Sequence, residues 1–516
     1  MARARSSWRV HVALAALIAG YAAFVLVASV PSSPGRPPLP PGVGLPEWSE
    51  AGARWIGLDR LTHGGVTVTA LLALAALAAA FAFVCREAWK GRVGVVSLVA
   101  GSVVSLAIVT AGPLMLSRDV YSYASYGRMY ALHDTNPYVA SPSRFRADPF
   151  TGVVSEEWRN TPSVYGPAFT LVSAGIAGAA NNSTAATVWA FKLLAAVGAA
   201  GATYLAAAAT RVALSGREPF AAAVVGLNPV IVLHVVGAGH NDALVAALLA
   251  GALLVAVRSV PAGDRSRQAN AAGSGDRSPS VASAIVVTVL LTVAALVKVI
   301  AAIALLLWLA YLFRSSAREH RLRVATTQLG VAIGLVAVVT APLFAGGETL
   351  KAIGNVAGRE GWASSSRVVA RALRAVTGVE LGSPADVALS IGIYAGFLAV
   401  FATLTWWLFR ATGGDPGVTW GGGLLLFALA ASYLLPWYAA WFLPFVPFLM
   451  RVGLGTIALT AAGLLTLTGV PAEPGFDPGL WSTMILAVHY AVAPAMLTLL
   501  IVAAVRVRRL TGALQA

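Results

Sequence analysis

Asp119 is the residue in this chain around which chemistry can be built. It stands in the run Ser117-Arg118-Asp119-Val120-Tyr121-Ser122-Tyr123, with Gly127-Arg128 and Asn136-Pro137-Tyr138 close behind. An apolar run long enough to cross a bilayer leads into it. If the piece is helical, Asp119, Tyr123, Tyr126 and Tyr130 fall at i, i+4, i+7 and i+11, on one face. A carboxylate in a strip of aromatic rings at a membrane surface suits work on a sugar delivered by a lipid. The competing reading is a tyrosine belt at the interface with a capping aspartate.

The elements that must position these residues are set by composition. The chain has 516 residues, is 58% hydrophobic and 11% charged, and has a mean hydropathy of +0.77. A soluble protein of this length would carry roughly a quarter charged residues. Repeated apolar runs near twenty residues long instead imply an all-α integral membrane protein, a polytopic bundle of about fourteen transmembrane helices. The formal charge of +15 does not require nucleic acid, because the basic residues sit in short loops between apolar runs. A lone cysteine, Cys85, excludes an intramolecular disulfide and a thiolate metal cluster. Residues 10–30, preceded by Arg3, Arg5 and Arg9, read as a retained helix with its N-terminus inside.

Residues 1–516 read as one membrane-embedded domain. Following the crossings in order puts Asp119 at the external face, and puts most Lys/Arg in internal loops and most acids in external ones. Two large external loops, 114–164 and 346–384, hold most of the polar chemistry and are expected to contain short amphipathic helices. Residues 258–280 are hydrophilic and Gly/Ser-rich, as in a mobile cytoplasmic linker. Residues 281–313 are apolar except for Lys298, and are expected to split there into two short helices. Residues 437–449 are expected to form a late crossing. Transporters tend to place function at broken helices in mid-membrane, so large external loops favour an enzyme working at the outer face.

The combined motif resembles the actinobacterial polyprenol-phosphate-mannose-dependent α-1,6-mannosyltransferases. It is carried by the residues above together with Asp148-Pro149, Tyr165-Gly166-Pro167 and Gly239-His240-Asn241-Asp242-Ala243-Leu244. The likeness runs from roughly residue 93 to 447 and is strongest in the first loop. It implies the GT-C class of membrane glycosyltransferases, which moves mannose from a polyprenyl monophosphate to a mannan hydroxyl, forms α-1,6 linkages and inverts a β-linked donor. The partners implied are the polyprenyl-phosphate-mannose donor, a lipid-anchored mannan acceptor and the bilayer, with no nucleic acid. The location implied is the plasma membrane, with an extracytoplasmic active site. GT-C enzymes typically carry an acid or an acidic pair in the first large external loop. Asp119 matches, but its neighbours are Arg118 and Val120, which favours a single general base over a paired-acid metal site. No cofactor is expected. A transferase for another lipid-linked sugar, such as arabinofuranose, or a transporter of an anionic lipid or sugar, are the alternatives.

The implied chemistry needs a base for the acceptor hydroxyl, donors or cations for the leaving phosphate, and a groove for the polyprenyl tail. Asp119 is the expected base; a salt bridge to Arg118 or a helix cap is the plainer role. Arg118, Tyr123, Tyr126 and Tyr165 share its motif and are expected at the substrate. Lys298 is a lone intramembrane charge, either functional or snorkelling. His240 follows a glycine at a helix break and could donate to phosphate or sugar, while Asn241 and Asp242 could do the same or cap the next helix. Arg128 would point away from Asp119 unless the helix breaks at Gly127. Arg367, Arg371 and Arg374 form a basic stripe suited to anionic headgroups or to the lipid phosphate. Trp437, Tyr438 and Trp441 could stack on sugar rings or serve as belt residues.

Overall fold

The computed structural model describes residues 8–259, 279–354, 359–468 and 478–512. Every regular element among them is helical, because a backbone in hydrocarbon must satisfy its own hydrogen bonds. Three helices, α1 (Trp8–Ala28), α2 (His63–Trp89) and α3 (Val95–Ala111), lead to α4 (Asp119–His133). Next come α5 (Pro167–Ala180), α6 (Thr184–Ala213), α7 (Glu218–Gly226), a π-helical segment Val230–Gly237, and α8 (Asp242–Ser259). The second half holds α9 (Val281–Val297), α10 (Ala302–Ser315), α11 (Arg321–Thr340), α12 (Ser365–Thr377), α13 (Pro384–Ala411), α14 (Pro416–Ala430), α15 (Gly455–Thr468) and α16 (Ala493–Gly512).

The chain is a multi-pass membrane protein. Among the described residues, length and composition give seven full spans, or eight if the bent pair Glu218–Gly226 and Val230–Gly237 is one span. Six shorter apolar helices of 10–17 residues accompany them. Helices α6 and α8 form the centre, with 56% and 61% of their apolar windows buried, against 11% for the windows of α11 and α13 at the periphery. Small side chains let the central pair approach: Ala195, Ala199, Ala202 and Ala206 of α6 are buried, and Gly198 faces the backbone of Ala243.

The helices break where the sequence gives them cause. Pro229 has no N–H to donate, Asn228 Oδ1 accepts the Val230 N–H at 3.0 Å, and the axis bends by 45°. At Lys298 the backbone turns extended (φ −151°, ψ 118°) between α9 and a single helical turn that leads into α10. The crossing expected at 437–449 is absent. Pro436–Trp441, Leu443–Phe445, Val446–Leu449 and Met450–Val452 are consecutive short helical turns instead. Pro436, Pro444 and Pro447 interrupt any longer ladder, and the segment is apolar because it is buried in protein: Trp441, Phe442 and Phe445 are at most 2% exposed. Of the linker expected at 258–280, α8 ends at Ser259 and α9 begins at Val281, while residues 260–278 lie outside the described residues.

Candidate active site

Asp119 opens α4, where its backbone N–H reaches Ser117 Oγ at 3.1 Å. The helix runs unbroken to His133, so Tyr123 and Tyr126 follow Asp119 down one side. It lies flush on α5 because position 127 is glycine; any side chain there would collide with the Ser173 carbonyl. Gly166 serves likewise on the other flank. It donates its N–H to the Val297 carbonyl at 3.3 Å, and a Cβ there would strike the Leu296 carbonyl. The two close approaches draw Asp119, Tyr165 and Lys298 to one cavity of about 410 Å³.

The cavity lining is of two kinds. Asp119, Trp158, Tyr165, Ser432 and Tyr433 make a polar wall, and Val299, Ile300, Phe397, Leu398, Phe401 and Phe427 make an apolar one. Leu398 is 60% exposed on the peripheral helix α13, so the apolar wall reaches the lipid-facing surface. Burial first, and then the charge of Asp119, pushes the Tyr433 hydroxyl up to about 12, which keeps it a donor at neutral pH.

Lys298, Trp437, Tyr438 and Trp441 also line the cavity. Lys298 Nζ donates to both carboxylate oxygens of Asp242 at 2.8 Å, and Trp441 Nε1 donates to the same carboxylate at 2.6 Å. Asp242 is fully buried, whereas the Lys298 side chain keeps 17% exposure. The ammonium also sits 5.0 Å from the Tyr438 ring centroid, and Tyr438 stacks on Trp441 at 4.0 Å. Asp242 therefore serves as the counter-ion of Lys298.

His240 joins Asp119 to this cluster. Its Nδ1 lies 3.5 Å from Asp119 Oδ2 and 3.2 Å from the Tyr123 hydroxyl, and its ring stacks on Trp437 at 3.8 Å. Among the described residues, His240 Nε2 and both carboxamide atoms of Asn241 are buried without a hydrogen-bond partner, a cost that a bound molecule would relieve.

The remaining expected site residues do not line the cavity. Tyr123 is buried behind it, edge-on to Tyr165 and Phe169 at 4.8 Å. Tyr126 donates to the Thr161 carbonyl at 2.8 Å and supports the loop that carries Trp158. Arg118 is half-buried at the N-cap of α4. Arg128 contradicts the expectation of a substrate contact. Because α4 does not break at Gly127, its guanidinium turns away to Asp148 at 2.7 Å and the Asn181 carbonyl at 3.0 Å. Arg367 is half-buried on α12, outside the cavity lining. Its companions are engaged elsewhere, Arg374 with Asp386 at 2.6 Å and Arg371 over the Tyr490 ring at 4.4 Å.

Sequence reasoning missed Trp158, Tyr433 and Lys192. Lys192 is 1% exposed and donates to the carbonyls of Val109 (3.1 Å), Gly112 and Pro113 (2.8 Å). These carbonyls lie at and just beyond the C-terminus of α3, where a cation is favoured. The same connection is pinned by Met115 N–H to the Gly237 carbonyl at 3.1 Å and Leu116 N–H to the Gly35 carbonyl at 2.8 Å. Lys192 thus stakes the connection that delivers Asp119. Its only sequence signal is one charge inside an alanine-rich helix.

Comparison with known proteins places the chain in a family. The family model described as alpha-(1->6)-mannopyranosyltransferase, N-terminal domain, matches residues 17–314, more than half of the chain. Alpha-(1->6)-mannopyranosyltransferase A of Mycobacterium tuberculosis is 27% identical over 454 residues, covering 84% of this chain and 80% of that one. Alpha-(1->6)-mannopyranosyltransferase B of Corynebacterium glutamicum is 27% identical over 381 residues, covering 68% and 60%. The archaeal oligosaccharyltransferase AglB of Archaeoglobus fulgidus has a slight structural likeness, with a TM-score of 0.31 at 12% identity over 76% of this chain and 52% of that one. A multi-pass helical bundle with an acid in a mostly apolar cavity is, with these mannopyranosyltransferase relatives, a membrane-embedded glycosyltransferase. The chain belongs to the alpha-(1->6)-mannopyranosyltransferase family.

Proposed function

We propose that the protein transfers mannose from a polyprenyl-phosphate carrier to a hydroxyl of a mannan acceptor, forming α-1,6 linkages at the outer face of the plasma membrane. The observation that carries this reading is the cavity's lining: apolar side chains of a peripheral helix, a lysine and a carboxylate around one space. A lipid-linked donor fits that lining, with its tail along Phe397, Phe401 and Phe427, its phosphate at Lys298 and its sugar toward Asp119. In the chemical step, Asp119 takes the proton of the acceptor hydroxyl as that oxygen attacks the anomeric carbon. The bond from the anomeric carbon to the phosphate oxygen breaks, and the charge left on the phosphate is met by the Lys298 ammonium. One displacement of this kind inverts the anomeric centre. His240, 3.5 Å from the carboxylate and stacked on Trp437, holds Asp119 in register.

The test uses membranes containing the protein, radiolabelled polyprenyl-phosphate mannose and a short α-1,6-mannoside, with linkage analysis of the product. An α-1,6-extended mannoside is expected. No transfer from this donor, with transfer from polyprenyl-phosphate arabinofuranose instead, would reassign the sugar. Gradient-driven movement of the lipid with no new glycosidic bond would replace the enzyme by a transporter.

A further inference from the structure

The two outer segments of the chain meet at one point of the cavity rim, and that point has no part in the reaction as described above. Trp158 sits on the short helix Glu156–Arg159 of the first loop, and its ring forms part of the polar wall. The guanidinium of Arg359, from the second loop, lies 4.0 Å over that ring and pairs with the neighbouring Glu157 carboxylate. Two residues on, Gly361 donates its N–H to the Ser432 carbonyl at 2.7 Å, so the second loop is fastened to the rim segment that carries Tyr433. Tyr126, donating to the Thr161 carbonyl, holds the first loop from behind. Arg359 thus covers one face of the Trp158 ring and leaves the other open, while Tyr126 holds the backbone of its loop.

We propose that Trp158, held by Arg359, is the platform on which a hexose ring of the acceptor lies, with Glu157, Arg359 and Tyr433 reading its hydroxyls. This rests on the transferase reading. A hexose presents an apolar C–H face and an equatorial rim of hydroxyls. An aromatic ring covers the first, while a charged donor and acceptor side by side suit the second. Position separates this subsite from the donor's. Trp158 and Tyr433 belong to the polar wall, and Glu157 is 57% exposed toward water, whereas the phenylalanines of the apolar wall face the bilayer. A water-borne saccharide reaches Asp119 past Trp158. A lipid-borne one reaches it past Phe397.

The test is steady-state transfer with donor and a synthetic α-1,6-mannoside varied independently. Trp158→Ala is expected to raise the acceptor KM about ten-fold while leaving the donor KM unchanged, and Trp158→Phe to restore most of the loss. Arg359→Gln should raise the acceptor KM by a smaller factor. An acceptor KM unchanged in Trp158→Ala, or a rise in donor KM in its place, overturns the assignment. Should the alanine variant fail to accumulate, the pair Trp158→Phe and Trp158→Leu decides: equal acceptor KM values in the two overturn it. Failure of the wild-type protein to transfer at all would sink the function itself, which an active wild type with an indifferent Trp158 would not.

Discussion

Among the described residues, two of the ion pairs rest on a nearly sealed aspartate. Arg128–Asp148 and Lys298–Asp242 both join a cation to a carboxylate at less than 3 Å, and in each the aspartate is 4% exposed or less. In the first, both partners are sealed: the arginine is 6% exposed and spends its remaining donors on the Asn181 carbonyl, and His133 closes on the same aspartate at 3.2 Å. In the second, only the aspartate is sealed, and the lysine forms part of a cavity wall. The first is a strut that fastens α4 to its loop. The second is a charge offered to a ligand and steadied from behind. Burial and pairing do not separate a strut from a site; a free approach to one partner does.

Five variants test that contrast, from the largest effect on turnover to the smallest. Asp119→Asn keeps the shape of the cavity and removes its base, so kcat should fall by roughly 10²–10⁴-fold with the protein still in the membrane. Full activity in that variant would end the assignment. Lys298→Met should lower turnover by about 10²–10³-fold, as for loss of a group facing a developing anion. It should also cost about 3–5 kcal/mol of stability, because Asp242 is left charged and alone. The double variant Lys298→Met/Asp242→Leu is expected to regain thermal stability in detergent without regaining transfer; recovery of both would make the pair a second strut. Lys192→Met releases the end of α3 and the segment that delivers Asp119. A fall in kcat of about ten-fold or more at an unchanged donor KM is expected, and a KM change alone would argue against positioning. Arg128→Met should lose about 3–5 kcal/mol of stability, while the protein that remains folded turns over like the wild type. A specific loss of turnover there would put Arg128 back among the substrate contacts.

The sequence showed what is local and hid what is distant. The helix through Asp119, Tyr123 and Tyr126 follows from spacing, and the break at Lys298 from a single charge in an apolar run. The partnership of Lys298 with Asp242, 56 residues away, leaves no trace in either neighbourhood, since packing alone decides it. Residues 437–449 misled because hydropathy cannot tell a side chain facing lipid from one facing other helices. Three prolines in fourteen residues were the better guide. Trp158 was hidden for a different reason: its role depends on Arg359, two hundred positions later, coming to rest on it.

The extended residue at 298 has one more effect. With Asp242 bound to it, the ammonium contributes no net charge, so the empty chamber exerts little pull on dissolved anions passing outside. A small soluble sugar phosphate gains nothing by entering, because it would shed its hydration to meet a cation already neutralised. On the proposed function, a ligand whose hydrocarbon tail has already settled between the helices would bring the binding energy to make the lysine share its protons. Selectivity for a carrier-borne sugar would then follow from the resting charge balance before any sugar is recognised.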